Sequence, residues 1–160
     1  MARRTDTLEF RPPDWPETLL AEMQRIHDGG HGWVNFTPGV HPDDMPPPPM
    51  GLAAIFGGNN AGVPLCTWTP GRSTSHGLEP GSLGVLHRSG TKAATRIVAY
   101  GVELPAGWRV VQDHPRRGLV VRIPPETSAA DALTWLVEAG KALSVVPLTG
   151  DWLAQIHRTG

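Results

Sequence analysis

The stretch WRVVQDHPRRGLVVRI, residues 108–123, decides how the rest of the chain is read. Two β-branched runs, WRVVQD and GLVVRI, are joined through HPRRG, whose proline and glycine suit a turn. A link this short pairs its strands antiparallel, because parallel neighbours need a crossover of about a dozen residues or more. An antiparallel pair here argues against regular strand–helix alternation and for strands grouped in one sheet with helices packed on it.

The reading spreads outward from that hairpin. After Pro124 and Pro125, the run TSAADALTWLVEAGKAL (127–143) places Ser128 and Asp131 in capping-box spacing and Leu133, Leu136, Val137 and Gly140 on one helical face. Beyond it, SVVPL (144–148) suits a short strand, and DWLAQIHRTG (151–160) a last helical turn or a tail docking through Trp152 and Leu153. Upstream, SGTKAATRIVAYG (89–101) is expected to be a helix capped by Ser89 or Thr91, with an Ala94, Ile97, Val98 stripe and Gly101 as terminator. SLGVLHR (82–88) suits a strand, and the Gly- and Ser-rich interval 69–81 a loop.

Nearer the N-terminus, GLAAIF (51–56) and VPLCTW (63–68) flank GGNNAG and are expected to form a hairpin-like pair. Four prolines at 46–49 favour polyproline II, so residues 38–50 are read as a stiff connector after a short strand at GWVNFTP (32–38). A first helix starts around Asp14, Pro16 and Glu17, carries Leu19, Leu20, Met23 and Ile26 on one stripe, and stops at Gly29-Gly30. Residues 1–13 are taken as a flexible N-terminal arm and 14–160 as a single domain. The element order is α-β-β-β-β-α-β-β-α, an α+β fold: a mainly antiparallel sheet with two or three helices on it.

Composition supports one folded body. The 160 residues suit a single core, and six tryptophans supply large apolar surface. The 19 glycines and 17 prolines imply long irregular stretches. No apolar run is long enough to cross a bilayer, and MARRTDTLEFRPPDW lacks the apolar centre of a signal peptide, so a cytosolic protein with no membrane partner is expected. Cys66, the single cysteine, can form neither an internal disulfide nor a cysteine-based zinc site, which fits a reducing compartment. Twelve arginines against two lysines, with abundant Ala, Gly and Pro, resemble the usage of a GC-rich bacterial genome.

The net charge of −1 conceals an asymmetry: residues 12–70 carry −5 and residues 71–125 carry +5. Opposed segments can simply face each other, but a basic face for an anionic ligand is the alternative. Within the positive segment, Arg88, Thr91, Lys92 and Arg96 surround a predicted helix start, where free N–H groups and the positive helix end favour phosphate or carboxylate. The pattern is no P-loop, since position 85 is Val and the Thr precedes the Lys. Arg116 and Arg117 add charge at the hairpin tip, with Arg109 and Arg122 on its strands and Trp108 as a stacking surface for nucleic acid. Solvated turn and helix charges are the plainer reading of all of these.

HDGGHGW (27–33) offers a different chemistry. His27 and His31 are four apart, as in helical zinc pairs, but Gly29-Gly30 lie between them and break the helix that spacing requires. With the FTPG turn (36–39) folding back, His41, Asp43 and Asp44 would complete a site, and His27, His31 and an aspartate would then be acceptable ligands for a divalent metal. The plainer reading has His27 at a helix C-terminus, where its positive form meets the dipole favourably. Cys66 lies mid-strand among apolar neighbours and reads as a small hydrophobe, and no serine occupies a nucleophile elbow. With no complete catalytic constellation, the expected function is a non-catalytic binding or protein-interaction module without a cofactor. Dimerisation through an exposed strand edge or the Pro-rich strip belongs to that expectation. The alternatives are a small enzyme using His27, His31 and His41, or a binder of an anionic ligand or nucleic acid through 88–122.

Overall fold

The computed structural model describes residues 3–29, 31–44 and 62–159. Among the described residues nine strands and three α-helices form an α+β fold: β1 (Arg3–Phe10), α1 (Glu17–Gly29), β2 (Gly32–Pro38), a 3-10 turn (Pro42–Asp44), β3 (Leu65–Thr69), β4 (Arg72–Thr74), β5 (Gly77–Glu79), β6 (Gly81–Leu86), α2 (Ala93–Ala99), β7 (Arg109–His114), β8 (Gly118–Ile123), α3 (Ala129–Leu143) and β9 (Trp152–Thr159). Seven strands make one antiparallel sheet in the order β1-β9-β2-β3-β6-β8-β7, and β4 and β5 form a separate small hairpin.

One face of the large sheet makes the core. Side chains alternate across a strand, so Val34 and Phe36, Cys66 and Trp68, Leu83 and Val85, Leu119 and Val121, and Trp152, Ala154 and Ile156 all point to that face, and all are buried. The three helices cover it, α3 over β3 and β6, α1 beside β2 and β9, α2 beside β7. In α3 the stripe expected from spacing, Leu133, Leu136, Val137 and Gly140, is buried, and Ser128 caps the helix by accepting from the Asp131 N–H at 3.1 Å. Gly140 is where helix and sheet come closest, since a β-carbon there would lie 2.9 Å from both Cys66 Sγ and a Trp152 ring carbon.

The opposite face carries a polar ladder across four strands. Thr67 Oγ1 donates to Asn35 Oδ1 at 2.8 Å, Asn35 Nδ2 lies 3.3 Å from His157 Nε2, and His157 Nδ1 lies 3.0 Å from Thr5 Oγ1. With Nε2 accepting from the amide, the proton belongs on Nδ1 and is donated to Thr5. Trp33 stacks on the same ring, centroids 4.9 Å apart and planes at 19°. On the core side, Arg158 ties three elements together, donating to Asp6 of β1 at 2.6 Å and to Glu22 of α1 at 3.0 Å. These hydrogen bonds hold the Asp6 carboxyl below its usual value and the Arg158 guanidinium above its own.

Several expectations change. Residues 3–10, expected within a flexible arm, are an edge strand in register with β9 from Arg3↔Thr159 to Phe10↔Trp152. DWLAQIHRTG is neither helix nor tail: β9 lies inside the sheet between β1 and β2, with Trp152, Ala154 and Ile156 inward. The interval 69–81 holds the β4–β5 hairpin, closed by the Arg72–Glu79 ion pair at 2.9 Å and by Gly77 at φ +111°. SVVPL forms no strand. Asp14 does not cap α1; it bridges back to Arg11 while the helix starts at Glu17. GLAAIF and the Pro-rich segment 45–50 lie outside the described residues, and β3 pairs with β2 and β6.

Candidate functional site

The basic residues of 88–122 separate into two groups. Antiparallel pairing of β6 with β8 up to Val85↔Leu119 sets the β6–α2 connection beside the β7–β8 turn. Arg88 and Lys92 lie on the first of these, Arg116 and Arg117 on the second. The turn is held by His114 Nδ1, which accepts from the Arg116 and Arg117 N–H groups at 3.1 Å each. None of Arg88, Lys92, Arg116 and Arg117 has an ion pair among the described residues. Arg109 and Arg122 face each other at the far end of the hairpin, about 17 Å away by strand rise.

One member of the expected anion group, Arg96, is otherwise engaged, as are two backbone N–H groups of the helix start. Asp113 supplies the carboxylate at the α2 N-terminus, accepting from Ala93 N at 3.2 Å and Ala94 N at 3.0 Å. Two of the N–H groups expected for a ligand are therefore already satisfied, and neither Ser89 nor Thr91 is the cap; Lys92 holds that position in a left-handed conformation at φ 60°. Arg96 turns back onto its own loop and donates to the Ser89 carbonyl and, at 2.7 Å, to Ser89 Oγ.

That loop contains a feature not visible in the sequence. His87 is 4% exposed, and its Nδ1 accepts from Ser89 N and lies 2.8 Å from Ser89 Oγ. An accepting Nδ1 leaves the proton on Nε2, which has no partner among the described residues. Burial holds the imidazole below its usual range, the Arg96 charge adds to this, and Asp113 opposes it. As a catalytic serine–histidine pair the arrangement lacks an orienting group on Nε2, since Asp113 is occupied on α2.

The histidines expected to share a metal are dispersed. His27 Nε2 donates to the Pro125 carbonyl at 2.8 Å, which places its proton on that nitrogen and leaves Nδ1, 3.4 Å from Asp28 Oδ1, as the other ring nitrogen. His31 and His41 flank opposite ends of β2, a strand that spans about 20 Å, so no single ion reaches both. His41 instead receives the Asp43 N–H on Nδ1 at 3.3 Å. Among the described residues no group of three potential ligands gathers. Burial pushes the Cys66 thiol up to about 12, so it stays protonated and packs against the Leu136 carbonyl at 3.7 Å.

Trp108 lies away from the arginine-rich tip. It packs edge-to-face on Trp135 of α3, centroids 5.8 Å apart, in the wall of a cavity of about 480 Å³. No protein family, curated protein or solved structure matches the chain.

Proposed function

We propose that the chain is a non-catalytic binding module that docks a phosphate-bearing polyanion at the end of the sheet carrying Arg88, Lys92, Arg116 and Arg117. The observation that carries this reading is that two connections distant in sequence meet there and bring four cations with no ion-pair partner among the described residues, the nearby Asp113 accepting from α2 N–H groups instead. Three of the four are arginines, whose planar fork suits phosphate oxygens. With Trp108 removed to the opposite end, the surface is matched to phosphates rather than to stacked bases. Association through the sheet edges is disfavoured, because β1 presents Arg4, Asp6 and Glu9 and β7 is interrupted by a bulge at Val111. A buried, protonated Cys66 is compatible with action in a reducing cytosol.

The test is fluorescence anisotropy of a labelled DNA duplex titrated with the protein at several salt concentrations. Four neutralised phosphates give a log–log slope of about −3 to −4, an affinity loss of about a hundredfold between 50 and 200 mM salt. Arg116→Glu/Arg117→Glu abolishes binding while the fold is kept. Competition by unlabelled duplex and by inorganic polyphosphate at equal phosphate separates nucleic acid from a simpler polyphosphate. Absence of binding to either probe at low salt, or binding indifferent to salt or to the double reversal, overturns the reading.

A further inference from the structure

At the C-terminal end of α2 lies a cavity of about 480 Å³, within the usual size of a small-ligand site. Its wall is built from two sources. Asp131, Trp135 and Glu138 of α3, at i, i+4 and i+7, share one helical face. Tyr100, Glu103 and Trp108 come from the segment between α2 and β7. Three aromatic rings and three carboxylates thus surround one space, and no lysine or arginine lines it.

The charges are largely uncommitted. Glu138 has an ion pair with Lys141 at 3.2 Å, with both side chains about half exposed, but neither Glu103 nor Asp131 has one among the described residues. Trp135 adds an independent sign of incompleteness. It is 5% exposed, and its indole N–H has no partner among the described residues. A buried donor left unpaired is costly; a cationic head offers it no acceptor, so this N–H bears on the cleft only through a water or a carbonyl held beside the cation. Tyr100, by contrast, is 73% exposed and stands at the surface, although an exposed ring of this size would gain by covering an apolar body.

We infer that this cleft is a binding site for an organic cation, an alkylammonium or guanidinium group held against the Trp108 and Trp135 rings and neutralised by Glu103 and Asp131. The faces of aromatic rings attract cations, most strongly when desolvated, and carboxylates around them exclude anions and favour positive charge. The site is separate from the basic end: α2 runs between them, with Lys92 at its start and Tyr100 just past its finish.

Nuclear magnetic resonance of the indole N–H signals, assigned through Trp108→Phe and Trp135→Phe, tests the inference. The probes are N-acetyl-arginine methylamide and choline, set against their neutral isosteres N-acetyl-citrulline methylamide and 3,3-dimethylbutanol. The Trp108 and Trp135 signals are expected to shift saturably with the cations and not with the isosteres. Glu103→Gln/Asp131→Asn keeps the shape of the wall and weakens the cations by about tenfold or more, whereas Arg116→Glu/Arg117→Glu leaves them unchanged. Preference for the arginine derivative identifies a polypeptide side chain as the source of the cation, and preference for choline a free amine. No response up to millimolar concentration, an equal response to the isosteres, or indifference to the charge-removing pair overturns the site.

Discussion

Replacing Gly140 by alanine sets two effects of known size against each other. In an open helix, alanine is the better residue by about 1 kcal/mol, because glycine loses more backbone entropy on folding. At 140 the added β-carbon arrives 2.9 Å from Cys66 Sγ and 2.9 Å from a Trp152 ring carbon. Neither neighbour has room to retreat, Cys66 being fully buried and Trp152 2% exposed. Overpacking of this kind costs about 1–3 kcal/mol, and two contacts against rigid groups put it toward the upper part of that range. Gly140→Ala should therefore lower stability by a net of about 1–2 kcal/mol, which for a chain of this length is about 2–8 °C in Tm. Urea unfolding followed by tryptophan fluorescence and circular dichroism measures it directly. The double change Gly140→Ala/Cys66→Ala removes the sulfur and lets the new methyl occupy part of its space, so the two losses should fall short of additive by about 0.5–1 kcal/mol. A Gly140→Ala protein more stable than the parent would refute the close approach of α3 to the sheet, since it would mean that only helix propensity is felt at 140.

Two further outcomes follow from the core and its one buried histidine. Leu136 is fully buried on α3, so Leu136→Ala should cost about 2–5 kcal/mol in the same unfolding assay; a near-zero change would mean that this face of α3 is not core. His87 sits below the usual imidazole value of 6.5, so the unfolded chain takes up the proton first. Its contribution is intact above the unfolded value and is lost as pH falls from there toward the lower folded value. Stability should decline as pH falls below about 7 with a slope that His87→Gln reduces, and an unchanged slope in that variant would show that the imidazole takes its proton equally well in both states.

The fold was legible where a pattern was both local and strong. The 108–123 hairpin and α3 needed only a turn, a cap and a period, and Ser128, Leu133, Leu136 and Val137 occupy the roles their spacing implied. The ends of the chain were not legible for a physical reason. β1 and β9 stabilise each other across nearly the whole sequence, Arg3↔Thr159 being one of their register pairs. RRTDTLEF has little apolar character by itself and becomes a strand because β9 offers it a ladder of backbone partners, with Arg158 fastening Asp6. In β9 the period-2 signal of Trp152, Ala154 and Ile156 was present, but a single apolar Leu153 between them blurred it. Local propensity was overridden by long-range pairing, as happens most readily in sheets.

The candidate sites show the same limit more sharply, through the carboxylates. Counting charge over 71–125 finds three acids among the basic residues, a dilution that makes a basic surface look unremarkable. In the fold those acids are sorted: Glu79 closes the β4–β5 hairpin onto Arg72, Asp113 terminates α2, and Glu103 joins the tryptophan cleft at the other end of that helix. What remains around Arg88, Lys92, Arg116 and Arg117 is more positive than the segment average. What gathers around Trp108 and Trp135 is more negative, because Asp131 and Glu138 arrive there from α3. The helical spacing of Asp131, Trp135 and Glu138 was readable, but an exposed acidic face flanking a buried tryptophan is ordinary for any surface helix. Only the packing of α2 and the segment that follows it against α3 turns that face into a wall with a second tryptophan opposite. Local charge asymmetry marks a region of the chain, and the folded arrangement decides which of its residues can meet one ligand.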